Sequence, residues 1–189
     1  MSEVDISKGA VVCVEAEIKG DVMIGTGTVV HPKAKIIAEA GPIVIGENNL
    51  IEEQVVIINK LCPGDKYEDD AEDDESHQAP VHNKQTMTIG KHNVFEVGSY
   101  CEALVVGNHN VLETKSWVGK RVNITDGCII GAKCRVDVNE TLTNNTVMYG
   151  EKCTRRTQSS HPPAQTLQLD FLTKILPNFH HMMKPTKKT

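Results

Sequence analysis

An aliphatic residue recurs at about every sixth position along most of this chain, in two runs separated by a segment without the pattern. The first run consists of Ile6, Val12, Ile18, Ile24, Val30, Ile36, Ile45, Ile51 and Ile57. The second run consists of Ile89, Phe95, Cys101, Val106, Leu112, Val118, Ile124, Ile130, Val136, Leu142 and Met148. A period of six fits neither an amphipathic helix nor a simple hairpin, and it is typical of a parallel β-helix built from hexapeptides.

Each hexapeptide is predicted to form one wall of a triangular coil. Side chains alternate between the two faces of a strand, so the aliphatic residue points inward and its neighbours point outward. Three walls make a coil of about eighteen residues, and the two runs supply between six and seven coils. Such prisms resemble the left-handed β-helix family, and the resemblance implies the handedness. The predicted fold is therefore all-β: a left-handed parallel β-helix with a C-terminal α-helix packed along one face.

The period stops between Ile57 and Ile89, and it ends after Cys153. The gap, at about 59–87, contains seven acidic residues within the eight positions 68–75. Such a segment cannot form a core, so we expect a solvated, mobile loop. The loop is a tolerated surface insertion or, alternatively, a patch that attracts a basic partner.

The chain is predicted to divide into four parts. Residues 1–153 form the β-helix, 154–164 a linker, 165–183 a helix and 184–189 a frayed basic tail. Pro177 is expected to kink or end the main helix, because it lacks an amide hydrogen and clashes with the preceding turn. Helical spacing is carried by Leu167, Phe171, Leu172, Ile175, Leu176 and Phe179.

On one predicted face, the residue before each inward aliphatic residue points outward. Together these outward residues form an unbroken column. This apolar stripe consists of Val11, Val29, Leu50, Val94, Val111, Ile129 and Val147. Its register assumes that the chain leaves after Ile57 and re-enters on the next face at Ile89. A continuous stripe needs a cover, and a helix of about seventeen residues spans about 26 Å, or roughly five coils. We expect a partner protein to cover what the helix leaves open, with these helical residues lying along the stripe: Leu167, Phe171, Ile175 and Phe179.

Three carboxylates are predicted to lie beside the stripe on adjacent coils: Glu52, Glu96 and Glu113. Like charges one strand apart repel. The column therefore faces open water or, alternatively, docks against the basic surface of a partner.

Composition and charge narrow the function classes. The formal net charge of −5 argues against nucleic acid as a ligand. No stretch has the length and hydropathy of a membrane span, and the first residues lack the apolar core of a signal peptide. The expectation is a soluble intracellular protein with no direct membrane insertion. Its six cysteines show no CxxC spacing and are predicted to be buried, reduced thiols.

Two enzyme classes share this prism. Acyltransferases of this kind use a histidine base near a coenzyme A cleft between subunits, and His92 and His109 are predicted to stack on adjacent coils. Each precedes an inward asparagine, Asn93 or Asn110, which favours a structural amide ladder that includes Asn49. No nucleophile elbow, phosphate loop or dinucleotide fingerprint occurs in the sequence.

The second class, the γ-class carbonic anhydrases, holds zinc with three histidines. The corresponding positions of this chain contain Ile58, Lys91 and Glu96, which cannot supply three zinc ligands. His77 and His82 have a metal-like spacing, but they belong to the acidic loop, where weak adventitious binding is the most expected. We predict no catalytic residues, no metal and no cofactor, with a carbonic-anhydrase-like or acyltransferase-like enzyme as the alternative.

Several segments resemble one family more closely than the repeat alone requires. They are residues 9–15, 36–46, 49–54, 93–98 and 165–172. They resemble the dynactin subunit six family, the smaller of the two left-handed β-helix subunits of dynactin. The resemblance implies a non-catalytic structural subunit of the pointed-end complex, which supports dynein-driven transport along microtubules and cargo attachment. The implied partners are the second β-helix subunit, dynactin subunit four and actin-related protein eleven, at a cytoplasmic, cytoskeleton-associated location.

Overall fold

Short strands separated by bends make up most of the molecule, in a computed structural model that describes residues 4–61 and 85–186. These residues form 21 strands and one helix. In chain order the elements are β1 (Val4–Ile6), β2 (Val11–Val12), β3 (Glu17–Lys19), β4 (Val22–Ile24), β5 (Val29–Val30), β6 (Lys35–Ala38), β7 (Ile43–Ile45), β8 (Leu50–Ile51), β9 (Val56–Asn59), β10 (Met87–Ile89), β11 (Val94–Phe95), β12 (Tyr100–Cys101), β13 (Val105–Val106), β14 (Val111–Leu112), β15 (Trp117–Val118), β16 (Val122–Ile124), β17 (Ile129–Ile130), β18 (Arg135–Val136), β19 (Glu140–Thr141), β20 (Thr146–Tyr149), β21 (Thr154–Thr157) and α1 (Thr166–Phe179).

Every third strand stacks on the strand one coil earlier, which gives three sheets. The first sheet has the order β1-β4-β7-β10-β13-β16-β19, and the third has the order β18-β15-β12-β9-β6-β3. The second sheet has the order β2-β5-β8-β11-β14-β17-β20-β21. Coil neighbours pair in parallel, whereas β21 is antiparallel to β20. The predicted left-handed β-helix is confirmed, with about seven coils.

The inward residues fill a narrow prism, as the period predicts. Phe95, Ile36, Ile51 and Ile57 are among the fully buried side chains of this core. Burying aliphatic side chains of this size stabilises each rung by about 1.5–3 kcal/mol. The inward cysteines Cys101, Cys128 and Cys134 are buried free thiols, as predicted.

The strands that flank the interruption end and resume at the predicted positions. β9 continues to Asn59 and β10 begins at Met87, while residues 62–84, with the acidic run and His77 and His82, lie outside the described part of the chain. The buried Asn59 side chain ties the exit to the re-entry, because its Nδ2 donates to the carbonyl oxygens of Gly41 at 3.0 Å and Gln85 at 2.6 Å. Ile89 pairs with Ile45, so the chain does re-enter on the next face.

The C-terminal part differs in three ways from the prediction. The predicted linker begins with a strand, β21, and the helix α1 ends at Phe179. Pro177 lies inside α1, which ends two residues later, in keeping with the expectation that it kinks or ends the helix. The tail is also not frayed as far as Thr186, because the Thr186 amide donates to the Ile6 carbonyl at 3.0 Å and its Oγ1 to the Val4 carbonyl at 3.1 Å. The free edge of the first coil provides these hydrogen-bond partners.

Within the described residues, no helix is long and apolar enough to cross a membrane.

Candidate interaction surface

The apolar stripe forms one continuous column on the outside of the second sheet. Consecutive members pair directly from Val11 through Leu50, Val94 and Val111 to Val147. The predicted register of these seven residues is therefore confirmed. A column of aliphatic side chains this long is too apolar to leave open to water.

The C-terminal helix α1 packs along the middle of the stripe. Leu169 and Leu176 are buried against Val29, Leu50 and Val94, and they form a second apolar cluster outside the prism. The half-buried members of this cluster are Val11, Val111, Leu172 and Met182. Gln165 offers no side-chain cap at the start of α1, so packing, and not capping, fixes the helix here.

The helix presents a different face to the stripe from the one predicted. Leu167, Phe171 and Phe179 are 87%, 59% and 77% exposed, and Ile175 is only half-buried. Residues four apart rotate by about 40° per step around a helix, so such a row drifts off a straight stripe. Leu169, Leu172 and Leu176 alternate steps of three and four and remain on one side. The prediction that Leu167, Phe171 and Phe179 lie along the stripe is therefore wrong.

Other parts of the C-terminal segment cover the two ends of the stripe. Val147 is buried, and its strand pairs with β21 through Val147 and Arg156. At the opposite end, Cys13 pairs with Met182 in an antiparallel bridge. Ile129 stays half-buried. The chain therefore covers most of its own stripe, and little of it remains for a partner.

The three stacked carboxylates are hydrogen-bonded within the molecule. Glu52 accepts from the Val97 amide at 3.1 Å, and Glu113 accepts from the Ala132 amide at 2.8 Å. Glu96 accepts from both the amide and the hydroxyl of Thr114, at 2.9 and 3.0 Å. Each carboxylate thus satisfies a corner amide in the following coil.

Burial raises the pKa of the Glu52 carboxyl, and the nearby Glu96 charge adds to the effect, while the Val97 hydrogen bond opposes it. The carboxylates therefore have a structural role at the corners, which neither alternative read from the sequence included.

Two candidate histidines form part of a stack of three. The His92 and His109 ring centroids lie 4.9 Å apart, and His161 from the C-terminal segment lies 4.2 Å from His109. Gly127 occupies the next corner, and a Cβ added there would lie 2.8 Å from the His161 Cβ. The missing side chain leaves the space that His161 fills. Sequence reasoning missed this third ring, because the linker carries no repeat that would place it.

The stack lines an open cavity of about 540 Å³. Burial lowers the pKa of His109, and His161 and His92 lower it further. In the described structure, the Nδ1 atoms of His92 and His109 are buried without a hydrogen-bond partner. These rings therefore lack the acidic side chain at Nδ1 that orients a catalytic histidine base. The arrangement docks the C-terminal segment onto the corner.

The inward asparagines form the predicted amide ladder. Asn93 Nδ2 donates to Asn49 Oδ1 at 3.0 Å and to the Gly107 carbonyl at 2.9 Å. Asn110 Oδ1 accepts from the Cys128 amide at 2.7 Å. These buried amides replace backbone partners at the corner, where strands are interrupted.

The positions that correspond to zinc ligands in carbonic anhydrases are occupied by residues with other roles. Lys91 forms an ion pair with Glu47 at 2.8 Å, and Glu96 bonds to Thr114. Ile58 is a half-buried outward residue of β9. Across residues 4–61 and 85–186, no group of three or more His, Cys, Asp or Glu side chains is arranged to hold a metal.

The third sheet carries an outward surface that sequence reasoning did not identify. Its column consists of Glu17, Lys35, Val56, Tyr100, Trp117 and Arg135. The Tyr100 and Trp117 rings stack with centroids 5.4 Å apart and 3° between their planes. The Arg135 guanidinium lies 3.7 Å from the Trp117 ring centroid. The sequence does contain a signal for this surface. On this face too, the residue before each inward aliphatic residue points outward, and these residues stack into the column.

The fold is that of solved hexapeptide-repeat proteins. The structure superposes on a hexapeptide transferase family protein from Anaplasma phagocytophilum with a TM-score of 0.58 and 15% sequence identity, covering 93% of this chain and 87% of that one. A likeness at this identity concerns the fold alone. The molecule is thus a left-handed β-helix of the hexapeptide-repeat class, with a C-terminal segment packed on its second sheet.

Relatives at much higher identity define the family, although no family model matches the chain. Dynactin subunit 6 of Nematostella vectensis is 55% identical over 96% of this chain and 93% of its own length. The Xenopus tropicalis protein of that name is also 55% identical, over 99% of this chain and 88% of its own length. Dynactin subunit 6 of Caenorhabditis elegans is 36% identical over 96% of this chain and 89% of its own length. The chain belongs to the dynactin subunit 6 family.

Proposed function

We propose that this chain is a non-catalytic structural subunit of the dynactin complex. The observation that carries the proposal is its identity of 54–55% over nearly the whole chain to proteins named for that subunit. A stiff prism of paired coils suits such a role, since it presents flat faces at fixed spacing. The proposed setting is the pointed-end complex of dynactin, which supports dynein-driven transport along microtubules and cargo attachment.

Polar side chains around the positions that enzymes of this fold would use have structural partners here. Asn93, Glu96 and Glu113 bond to neighbouring coils, and Lys91 pairs with Glu47. The positions that hold zinc in a carbonic anhydrase thus contain an ion-paired lysine, a hydrogen-bonded glutamate and the aliphatic Ile58, which cannot bind zinc together. This supports a scaffold in preference to a catalyst.

The outer face of α1 is the part of the predicted interaction surface that remains open. Leu167, Phe171 and Phe179 expose large apolar side chains, and exposed apolar patches of this kind mark protein contacts. We assign this face, with half-buried Ile175 and the uncovered Ile129 of the stripe, to contact with other pointed-end subunits. The proposed partners are the second β-helix subunit, dynactin subunit four and actin-related protein eleven, in a cytoplasmic, cytoskeleton-associated assembly.

Affinity purification from cell extract tests the proposal. The tagged, unaltered chain is expected to recover dynactin subunits in fixed proportion. Leu167→Asp with Phe171→Asp is expected to lower that recovery about tenfold or more, because apolar interface anchors contribute 1.4 kcal/mol or above. Gln168→Asp, on an exposed position of the same helix, is the matched control and should leave recovery unchanged.

Two results would contradict it. If the unaltered chain recovers no dynactin subunit, the family does not predict the assembly. If the Leu167 and Phe171 variant is recovered as well as the Gln168 control, the contact lies elsewhere.

A further inference from the structure

The outward surface of the third sheet is a second, independent candidate for an interface. We call it the aromatic face: the Tyr100, Trp117 and Arg135 ladder with the half-buried aliphatic residues Val56, Ile37 and Ile58 beside it. As far as residue 186, where its description ends, the C-terminal segment packs on the second sheet and not on this face.

The ladder is held flat and rigid by its neighbours. A Cβ added at Gly119 would lie 3.0 Å from Cζ3 of Trp117, so the absent side chain lets the indole lie against the sheet. Tyr100 donates its hydroxyl hydrogen to the Glu102 carboxylate, and Arg135 also pairs with Asp137 at 3.3 Å. Rings ordered in advance lose little conformational entropy on binding. Trp, Tyr and Arg are also the residue types most enriched at the centres of interfaces.

Charge along the prism indicates what kind of partner fits. Residues 1–62 contain nine acidic and five basic side chains, whereas residues 105–157 contain five acidic and eight basic ones. The aromatic ladder thus lies toward the basic half of a chain whose net charge is −5. Glu102 and Asp137 on the face are already paired with Tyr100 and Arg135. The unpaired basic residues of this half attract an acidic surface and disfavour a basic one.

Several basic residues of this half have no internal counter-ion within the described structure. Lys115, Lys133 and Arg121 are within the described structure, and none of them forms an ion pair there. Lys115 and Lys133 occupy the corner that borders the aromatic face, and the Lys133 amide bonds to the preceding coil at Thr114. Their ammonium groups are exposed at that corner, where a partner's carboxylates can reach them.

We propose that the aromatic face binds an acidic segment of a neighbouring protein in the dynactin complex, and this rests on the proposed function. The segment places an apolar or aromatic side chain against Tyr100 and Trp117. Its carboxylates meet the free ammonium and guanidinium groups on either side. The apolar anchor supplies most of the affinity, while the charges set orientation and exclude basic partners.

A matched pair of charge reversals tests the proposal. Lys133→Glu and Lys33→Glu alter exposed corner lysines with nearly the same backbone, at φ 59° and 62°, but in opposite halves of the prism. Lys133→Glu is expected to weaken incorporation into dynactin about tenfold at low salt, with less effect at high salt. Lys33→Glu should change it less than about twofold. Thermal unfolding of both variants checks that the fold is retained.

Photo-crosslinking identifies the chemistry of the bound segment. A photoreactive residue in place of Val56, on the aromatic face, is expected to capture a partner peptide rich in Asp and Glu. The same residue in place of Thr88, on the first sheet, should not. Trp117 is the only tryptophan of the chain, so its fluorescence should also change on assembly.

The outcomes separate this inference from the proposed function. If dynactin subunits co-purify while Lys133→Glu behaves as Lys33→Glu, the aromatic face is not the docking surface. Capture of a basic peptide, nucleic acid or lipid at position 56 would overturn the acidic assignment. If no dynactin subunit co-purifies with the unaltered chain, the proposed function has failed first.

Discussion

At the scale of single residues, the corner carboxylates show how stacked coils use like charges. Glu96 receives hydrogen bonds from both the amide and the hydroxyl of Thr114, so its charge is stabilised by donors one coil away. The repulsion expected between Glu52, Glu96 and Glu113 is offset by such bonds. A carboxylate at this position therefore holds adjacent coils together.

Removing one of these carboxylates should destabilise the fold without affecting a binding surface. Glu96→Ala leaves the Thr114 amide without its partner and should lower the free energy of unfolding by about 1–3 kcal/mol. Glu96→Gln keeps an acceptor oxygen and should cost less. Urea unfolding of the two variants measures the difference. Equal losses would show that the charge, and not the hydrogen bond, matters.

The histidine stack predicts that acid releases the C-terminal segment from the corner. Burial and the other two rings lower the pKa of His109 in the docked state. Acid therefore favours the undocked state, in which this imidazole protonates more readily. The docking free energy is fully present above pH 6.5, the ordinary imidazole value, and is lost as pH falls through the lowered pKa. The Gln158 amide donates to the Asn145 carbonyl at 2.9 Å. Its hydrogen exchange, corrected for intrinsic rate, should show protection at pH 7.5 that declines below pH about 6.

His161→Phe is the matched control for this pH dependence. It keeps a stacked ring but removes the imidazole that helps to lower the pKa of His109, so the decline in protection should be smaller. An unchanged pH profile would show that His161 has no part in the effect.

At the scale of elements, α1 has two apolar rows, and only one of them packs. Leu176 is 7% exposed against the stripe, whereas Leu167 is 87% exposed. Leu176→Ala should therefore lower the free energy of unfolding by about 2–3 kcal/mol through the cavity it leaves. Leu167→Ala should change it by less than about 0.5 kcal/mol. Thermal unfolding of both variants measures this, and similar losses would mean that the helix lies on its other face.

At the scale of the whole molecule, one C-terminal segment protects the second sheet from end to end. β21 pairs with the last coil, α1 covers the middle, and Met182 and Thr186 bond near the first coil. Open strand edges and bare apolar columns invite association with other chains. The segment therefore closes the prism on this side as well as carrying a proposed contact surface.

A chain that ends at residue 164 should consequently self-associate. The truncation leaves β21 in place but uncovers Val29, Leu50 and Val94, which are buried in the full chain. Light scattering after gel filtration should show oligomers of the truncated chain. Full-length Leu167→Ser with Phe179→Ser, which alters only exposed residues of the helix, is the control and should keep the mass of the unaltered chain. A truncated chain that behaves like this control would show that the stripe tolerates water.

Much of the fold could be predicted because its rules are local. Alternation along each strand decides which residues face inward, and the six-residue period decides which residues stack. The register of the stripe and the amide ladder of Asn49, Asn93 and Asn110 follow from these two rules. The same rules place Tyr100 above Trp117 once the third face is read as a column.

The sequence by itself determined the coils, their register and the outward columns, since each depends on positions a few residues apart. Tertiary structure alone decided which row of α1 is buried, because both rows are apolar and the choice depends on the shape of the stripe. It also decided that His161 fills the space at Gly127 and that Glu96 bonds to Thr114. His161 lies outside the repeat, so no periodicity in the chain places it. Glu96 and Thr114 lie one coil apart, as the period requires, but only the side-chain geometry forms the bond between them.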